Sequence, residues 1–542
     1  MKDPVAILIC NLYMISGHKK NILDLVFVSL LFALLVLLRV DSFQEKKELH
    51  TDEIYSVMLV NNNPHYWSAI DDGFYTGNDL KSKIFDENVS SDFKNFDYDN
   101  HGDFISDLKH LWLNNGDTPH ASLYYMLLRV SFYLSDLFNL SPKDIDVGYI
   151  SCVGFILNIL LFCVSFVLML LLLKVLLKDK IVLILVGLAV CFATPLSIEN
   201  TLLIREYQLA ETFLIFLTLV SVTYINKLYS KQNISLSFYG VMFSISVAGA
   251  LSTGYLNAIY VLLIGVVLIY ASIKTDNKKL SFLIVCSALL GLLIAWAMYL
   301  GFFNFILYKT VHTSRAFESP VKVLEYVFVR DISNGSFKIY GLSLLIFAIA
   351  FILVMGRGKE LFKIQAYLWL PILAIISIYL VQYTAVLKMS RYSFPLMPIV
   401  ALVFPLVLCK LPKIPSHILG VALSLFYIVS GFANPVTKTY GWGYVQKQLE
   451  HGATIYGLNS TEIVQVIPCL NDTAIYRLVS CKEALLMDCV ADRNLQNDDS
   501  KSRKNYRNRV VMKSSCKDIP QSMIEERRRL IGRQISVIDV AD

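Results

Sequence analysis

Residues 149–173 read YISCVGFILNILLFCVSFVLMLLLL, a run without one charged side chain that is closed by Lys174. A helix rises about 1.5 Å per residue, so the run is long enough to cross the roughly 30 Å hydrocarbon core of a bilayer. Further apolar runs occur near residues 22–40, 181–194, 206–225, 236–253, 255–273, 280–306, 338–356, 366–381, 392–409 and 415–433. Of these, 181–194 is short and its ends are soft. The whole chain agrees, with 55% hydrophobic and only 17% charged residues and a positive mean hydropathy. Soluble domains of ordinary composition do not reach that balance. The expected fold is an all-α polytopic membrane protein of about eleven transmembrane helices.

Charge sets the expected orientation. The first run has too long an apolar core for a cleavable signal and is followed by an acidic loop without a small-residue cleavage site, so it stays as an anchor. Lys19 and Lys20 place residues 1–21 in the cytoplasm, because basic residues favour that side. Lys174, Lys178 and Lys180, then Lys227 and Lys231, then Lys274, Lys278 and Lys279, then Arg357, Lys359 and Lys363, then Lys410 and Lys413 occupy every second connection. The expected organisation is a cytoplasmic N-terminus over 1–21, a transmembrane module over 22–433, and an exported C-terminal domain over 434–542. Two connections of the module, 41–148 and 307–337, face the exported side. In a bacterial cell this is an inner-membrane protein with periplasmic loops.

The loop 41–148 is too long for a simple connection. Its residues 121–140 mix apolar and polar groups as a helix lying in the membrane interface does, and Arg129 and Asp136 argue against a crossing. The connection 307–337 holds His312, Arg315, Glu318, Lys322 and Arg330, enough to shape a pocket rim. The tail is expected to fold as a small α/β unit near 440–490, followed by a polar stretch over 491–517. Six of the ten cysteines sit in the N-terminus or in apolar runs, where they pack as small hydrophobes. Cys469, Cys481, Cys489 and Cys516 fall in the tail, where disulfides are favoured over zinc because no C-x-x-C spacing occurs; their pairing is open. The net charge of +6 comes mostly from membrane-flanking lysines and the tail, so a lipid bilayer is the expected partner and nucleic acid is not. No internal repeat is visible, which disfavours a secondary transporter, and buried charges within the runs are few.

Some charges lie where topology does not explain them. Asp52 and Glu53 stand in His50-Thr51-Asp52-Glu53-Ile54-Tyr55, shortly after the first run. Neighbouring helix positions point about 100° apart, so at most one of the two carboxylates enters a shared cleft. The plainer alternative is a solvated acidic start to the loop. Asp117-Thr118-Pro119-His120-Ala121-Ser122-Leu123-Tyr124-Tyr125 opens the interfacial segment, where Asp117 or Thr118 suits a helix cap and His120 an ordinary surface position. Arg205, in Ile204-Arg205-Glu206-Tyr207, and Arg391, in Ser390-Arg391-Tyr392-Ser393-Phe394-Pro395, abut apolar runs on the side where positive charge is depleted. Arg205 has Glu206 as a ready internal partner. At Arg391, two prolines loosen the start of the following helix, so backbone groups there need a protein neighbour. A guanidinium in either place suits a phosphate, whose oxygens match its fork of donors.

The order of these features resembles the GT-C glycosyltransferases: one anchor, an exported loop beginning Asp52-Glu53, His120-Ala121-Ser122-Leu123-Tyr124-Tyr125, Arg205-Glu206-Tyr207, and Arg391-Tyr392 with Pro395 and Pro398. Within them it is similar to bacterial enzymes of the dolichyl-phosphate-mannose-protein mannosyltransferase type, nearest to the O-antigen-modifying Gtr glucosyltransferases. The resemblance covers about residues 20–435, and order and sidedness carry it rather than any single motif. Family members often carry two prolines where this chain has Ala121 and Ser122. The lipid A aminoarabinose transferases of the same group tend to carry Glu-Lys-Pro where this chain has Asp117-Thr118-Pro119. The cysteine-bearing tail has no counterpart.

What the resemblance implies is an inverting hexosyltransferase that moves a sugar such as glucose from a polyprenyl-phosphate carrier to a periplasmic glycan or glycolipid, for example lipopolysaccharide O-antigen. Asp52 would be the base, with Glu53 as substitute. Arg205, Tyr207, Arg391 and Tyr392 would hold the donor phosphate, and Asp117 and His120 would line the cleft. No cofactor beyond the lipid-linked donor is expected, and no metal site. The D-x-D triplet Asp97-Tyr98-Asp99 reads as a solvated pair rather than a divalent-metal site. An O-antigen polymerase or ligase, and a transporter or flippase without chemistry, are the alternatives.

Overall fold

The computed structural model describes residues 18–46, 49–60, 73–76, 105, 108–109, 111–113, 122–138, 147–178, 180–230, 235–299, 365–384, 390–433, 454–456, 475–479, 509–512 and 535–538. The helices are α1 (His18–Gln44), α2 (Thr51–Val60), α3 (Ser122–Leu137), α4 (Val147–Leu177), α5 (Ile181–Phe192), α6 (Pro195–Leu202), α7 (Tyr207–Tyr229), α8 (Leu236–Leu251), α9 (Asn257–Lys274), α10 (Lys278–Met298), α11 (Gln365–Thr384), α12 (Met397–Ala401), α13 (Val403–Leu408) and α14 (Lys413–Ala433). A 3-10 segment, Ser390–Leu396, leads into α12. The strands are β1 (Gly73–Thr76), β2 (Thr454–Tyr456), β3 (Ile475–Val479), β4 (Arg509–Met512) and β5 (Ile535–Ile538).

Among the described residues, eight helical segments are long and apolar enough to cross a membrane, or nine if the bent pair α5 and α6 forms one span. The chain is an integral membrane protein, mostly helical. Helix α8 is apolar but shorter, and the expected run 338–356 and the connection 307–337 lie outside the described residues. Burial sorts the spans: 78% of the apolar window of α7 and 83% of residues 391–408 are enclosed, against 17% for α1. Helix α7 and the 391–408 segment therefore form the centre of the bundle, and α1 is the least enclosed of these spans. The runs were legible because most positions of a span are apolar, whichever side they face.

Two compact units are present. The first holds residues 1–45, 117–124 and 155–437; the second holds 46–116, 125–154 and 438–542. The long loop after the first span thus belongs with the tail. In the second unit the five strands form one sheet in the order β1-β3-β2-β4-β5. β1, from the loop, pairs antiparallel with β3 from the tail, in the register Gly73 with Leu478 and Thr76 with Ile475. The tail strands run parallel to one another. Helix α3 is sixteen residues long, too short for a full crossing. Arg129 within it is buried rather than turned to water. The four tail cysteines lie outside the described residues.

In the first unit the expected run 181–194 is one helix, α5, and a second helix, bent away from it, follows directly beyond it. α5 stops at Phe192, and α6 begins at Pro195 with its axis turned by 58°. Pro195 has no N–H to continue the ladder. Thr194 is extended and caps α6 by accepting from Ser197 N at 3.3 Å.

Close approach at one glycine sets the packing of α8 against α10. A Cβ at Gly291 in α10 would lie 2.8 Å from the Ser244 backbone oxygen and from Val247 Cβ, whereas a Cβ at Gly265 in α9 would meet nothing within 4 Å. Gly291→Ala is expected to lower the unfolding free energy of the detergent-extracted protein by about 1–3 kcal/mol through overpacking. Gly265→Ala is expected to leave stability unchanged or raise it by up to about 1 kcal/mol, since alanine loses less entropy in a helix. Thermal unfolding of the two variants side by side checks both.

Candidate functional site

The bend between α5 and α6 exposes backbone that lipid cannot hydrate, and side chains from other helices satisfy it. Arg39 of α1, with none of its surface exposed, donates from Nη2 to Phe192 O at 3.1 Å and to Ser197 Oγ at 2.9 Å. Its Nε donates to Thr201 Oγ1 at 3.0 Å and its Nη1 to Leu35 O at 3.1 Å. The Phe162 ring lies 3.7 Å from the guanidinium carbon, close enough for a cation–π contact. The far end of α6 is held by Asn158 of α4, whose Nδ2 donates to Thr201 O at 3.1 Å and Leu203 O at 2.6 Å. Tyr124 donates to Asn158 Oδ1 at 3.2 Å and so fixes the orientation of that amide.

From α6 the polar lattice continues into α7. The Thr201 hydroxyl reaches Gln208 Oε1 at 2.9 Å. Gln208 Nε2 and Asn200 Nδ2 each donate to the Glu211 carboxylate at 2.9 Å. Ser165 of α4 receives a weaker bond from Gln208 and pairs with Thr212 at 2.8 Å. Arg39, Asn200, Gln208 and Glu211 are all fully enclosed. Buried charge within the spans is thus richer than the apolar runs suggested, because Arg39 closes one run and Glu211 sits inside another.

The turn that follows α6 carries Arg205. Its N–H donates to Leu203 O at 2.8 Å, a tight three-residue turn. The buried guanidinium lies 3.8 Å from Glu206 Oε2, the internal partner the sequence offered. Tyr207 is the first residue of α7, and its ring meets Phe394 edge-on at 6.5 Å. Phe394 lies in the 3-10 segment that carries Arg391 and Tyr392, and this segment packs against both α6 and α7. Arg205 and Tyr207 are therefore brought beside the segment of Arg391 and Tyr392. The proline-loosened backbone there has its protein neighbour, since Cys191 Sγ of α5 donates to Pro398 O at 3.2 Å.

Tyr255, in the turn between α8 and α9, joins this end of the bundle. Burial pushes its phenol above the ordinary tyrosine value, and neighbouring Tyr392 adds to the rise. Tyr299 packs against Tyr255. Sequence reasoning passed over Arg39, Glu211 and Tyr255. The rule that singled out Arg205 and Arg391, a cation closing an apolar run on the side of depleted positive charge, applies equally to Arg39. A carboxylate inside a span would have flagged Glu211. A separate hollow lined by Ser221, Tyr224, Tyr239, Phe243 and Ser287 has apolar walls and lies toward the lysine-bearing ends of α7 and α9, away from these residues.

Asp52 and Glu53 belong to the second unit and occupy the first turn of α2. Glu53 is fully buried, ion-paired with Lys46, and accepts from His50 N at 2.7 Å. That bond is half of a capping box, in which the third helical residue reaches back to the N–H of the cap. Asp52 is more open. Its backbone N–H donates to His50 Nδ1 at 3.1 Å, and its carboxylate lies 3.6 Å from the same nitrogen. The first contact needs Nδ1 without a proton, the second needs it protonated, so His50 makes one or the other as strong bonds. Adjacent carboxylates thus have different work, with Glu53 enclosed and engaged in the cap and Asp52 the more accessible. Asp117, His120, Asp97 and Asp99 lie outside the described residues. Among the described residues no three His, Cys, Asp or Glu side chains group as a metal site would.

No protein-family model matches the chain, and no curated protein matches it. The fold and the buried arginines define a polytopic helical membrane protein with a polar lattice inside its bundle.

Glu53→Gln keeps an acceptor for the His50 N–H but strands the Lys46 charge, and is expected to destabilise the protein by about 1–3 kcal/mol. Asp52→Asn, which removes only a helix-end charge, is expected to cost no more than about 1 kcal/mol. Thermal unfolding of the two variants in one detergent checks the contrast.

Proposed function

We propose that the chain is an inverting glycosyltransferase of the membrane, moving a hexose from a polyprenyl-phosphate carrier to a glycan or glycolipid such as lipopolysaccharide O-antigen on the periplasmic face. The observation that supports this most is the packing of the Arg391–Tyr392 segment against the start of α7, beside Arg205 and Tyr207. Two guanidiniums and two phenols in neighbouring segments at one end of a lipid-embedded bundle suit the diester phosphate of a lipid carrier. A departing polyprenyl phosphate needs its growing negative charge stabilised and no proton, which is work for arginines. The acceptor hydroxyl needs one base. Asp52 suits that role better than Glu53, whose carboxylate is enclosed with Lys46 and the helix cap.

The reading as a transporter or flippase gains one point from Arg39 and Glu211, since ionisable groups inside spans often mark a transport path. Against it, each of these two side chains is bonded on several sides within a fully buried lattice. A polymerase or ligase would share the arginines but has no use for the acidic turn at α2.

The test is sugar transfer onto surface polysaccharide in intact cells, with membrane insertion of each variant checked by immunoblot. Asp52→Asn is expected to reduce transfer by about 100- to 10,000-fold, the usual worth of a general base. Arg391→Lys, which cannot form a two-point contact, is expected to weaken donor use by about tenfold or more. Full transfer by both variants would remove this reading.

A further inference from the structure

We propose that Arg39 is a positioning residue: it clamps the bend between α5 and α6 and thereby sets the location of the turn 203–207 that bears Arg205. The inference deepens the proposed function, and only its kinetic arm rests on that reading.

Arg39 spreads four hydrogen bonds over three elements: Leu35 O on its own helix, Phe192 O at the end of α5, and Ser197 Oγ and Thr201 Oγ1 on α6. Such a set uses the planar fork of the guanidinium, with the Phe162 ring close by. An ammonium is a point donor on a flexible stem and cannot span α5 and α6 in the same way. Phe192 O matters most, because Pro195 interrupts the helix just beyond it and no water is at hand in lipid. From Thr201 the clamp passes to Gln208 in the first turn of α7, while Asn158 holds Leu203 O on the other side. The turn containing Arg205 is thus tied at its α7 end to Arg39 through Thr201 and Gln208, and at its α6 end to Asn158, which also holds the Thr201 carbonyl of the helix that Arg39 clamps.

A rival account makes Arg39 simply the counter-charge of Glu211. The bonds argue otherwise, since the four hydrogen bonds of Arg39 go to neutral oxygens and the Glu211 carboxylate takes its bonds from the amides Asn200 and Gln208. The two accounts predict different outcomes when both charges are removed together.

The test uses the full chain in intact cells with a reporter thiol, Leu203→Cys, at a half-buried position of the turn, reacted with a membrane-impermeant maleimide. Arg39→Lys and Arg39→Met are each expected to raise the labelling rate by about tenfold, because local opening exposes a thiol in proportion to its equilibrium constant. Should Arg39→Met fail to insert, the pair Ser197→Ala and Thr201→Val removes two acceptors of the clamp while keeping the charge, and the same rise is expected. Labelling in Arg39→Lys equal to the parent would overturn the proposal. So would slow labelling restored by Glu211→Gln in the Arg39→Met background, which is the signature of charge balance. In transfer assays Arg39→Lys is expected to raise the donor KM more than it lowers kcat. A labelling change in a parent protein that transfers no sugar would leave the clamp standing while the transferase reading falls.

Discussion

A carbonyl that loses its helical partner inside a bilayer has no water to turn to, and each such group left bare costs several kcal/mol by order of magnitude. The first unit is organised around one such place. α5 ends at Phe192, Pro195 prevents the ladder from continuing, and Arg39 from the first span supplies the missing donor. A bend so secured lets α6 run at 58° to α5 and stay buried along its whole length. The short helix then delivers Arg205 and Tyr207 to the end of α7, where the Arg391 segment packs. Without the guanidinium, the bend would be an open polar wound in lipid rather than a fixed corner.

The same economy separates structural from available polar groups. Asn158, Asn200, Gln208 and Glu211 spend their bonding capacity largely on one another and on backbone, which fixes α4, α6 and α7 to each other. Networks of this kind are stabilising only when their members are matched, and they then hold one arrangement strongly. Glu53 follows the same pattern in the second unit, where Lys46 and the His50 N–H engage it. Asp52, one residue earlier, is left as the more open carboxylate.

The spans were readable from the sequence because lipid imposes apolarity over long windows, as at residues 149–173. Arg205 and Arg391 were readable because cations are rare at those places. Arg39 was missed for a physical reason: at the end of an apolar run it looks like a boundary, and only the bend contributed by Phe192 and Pro195, far away in sequence, gives it a task. Glu211 hid inside a run whose average stays apolar. The bend itself showed only as a run that was too short. The pairing of Gly73–Thr76 with Ile475–Val479 left no local trace, since four-residue strands carry little pattern and a partner so distant in sequence has no signature in either segment.

That pairing bears on how the protein is made. Gly73–Thr76 leaves the ribosome before every span after the first, whereas its partner strand lies in the tail and is synthesised only after the last of them. The loop therefore waits through nearly the whole of biosynthesis with its edge unmatched, and non-local pairing of this sort is slow and exposed to misassembly. Closing the sheet is a late event by necessity, and a prematurely terminated chain leaves β1 as a sticky border that cellular quality control can recognise.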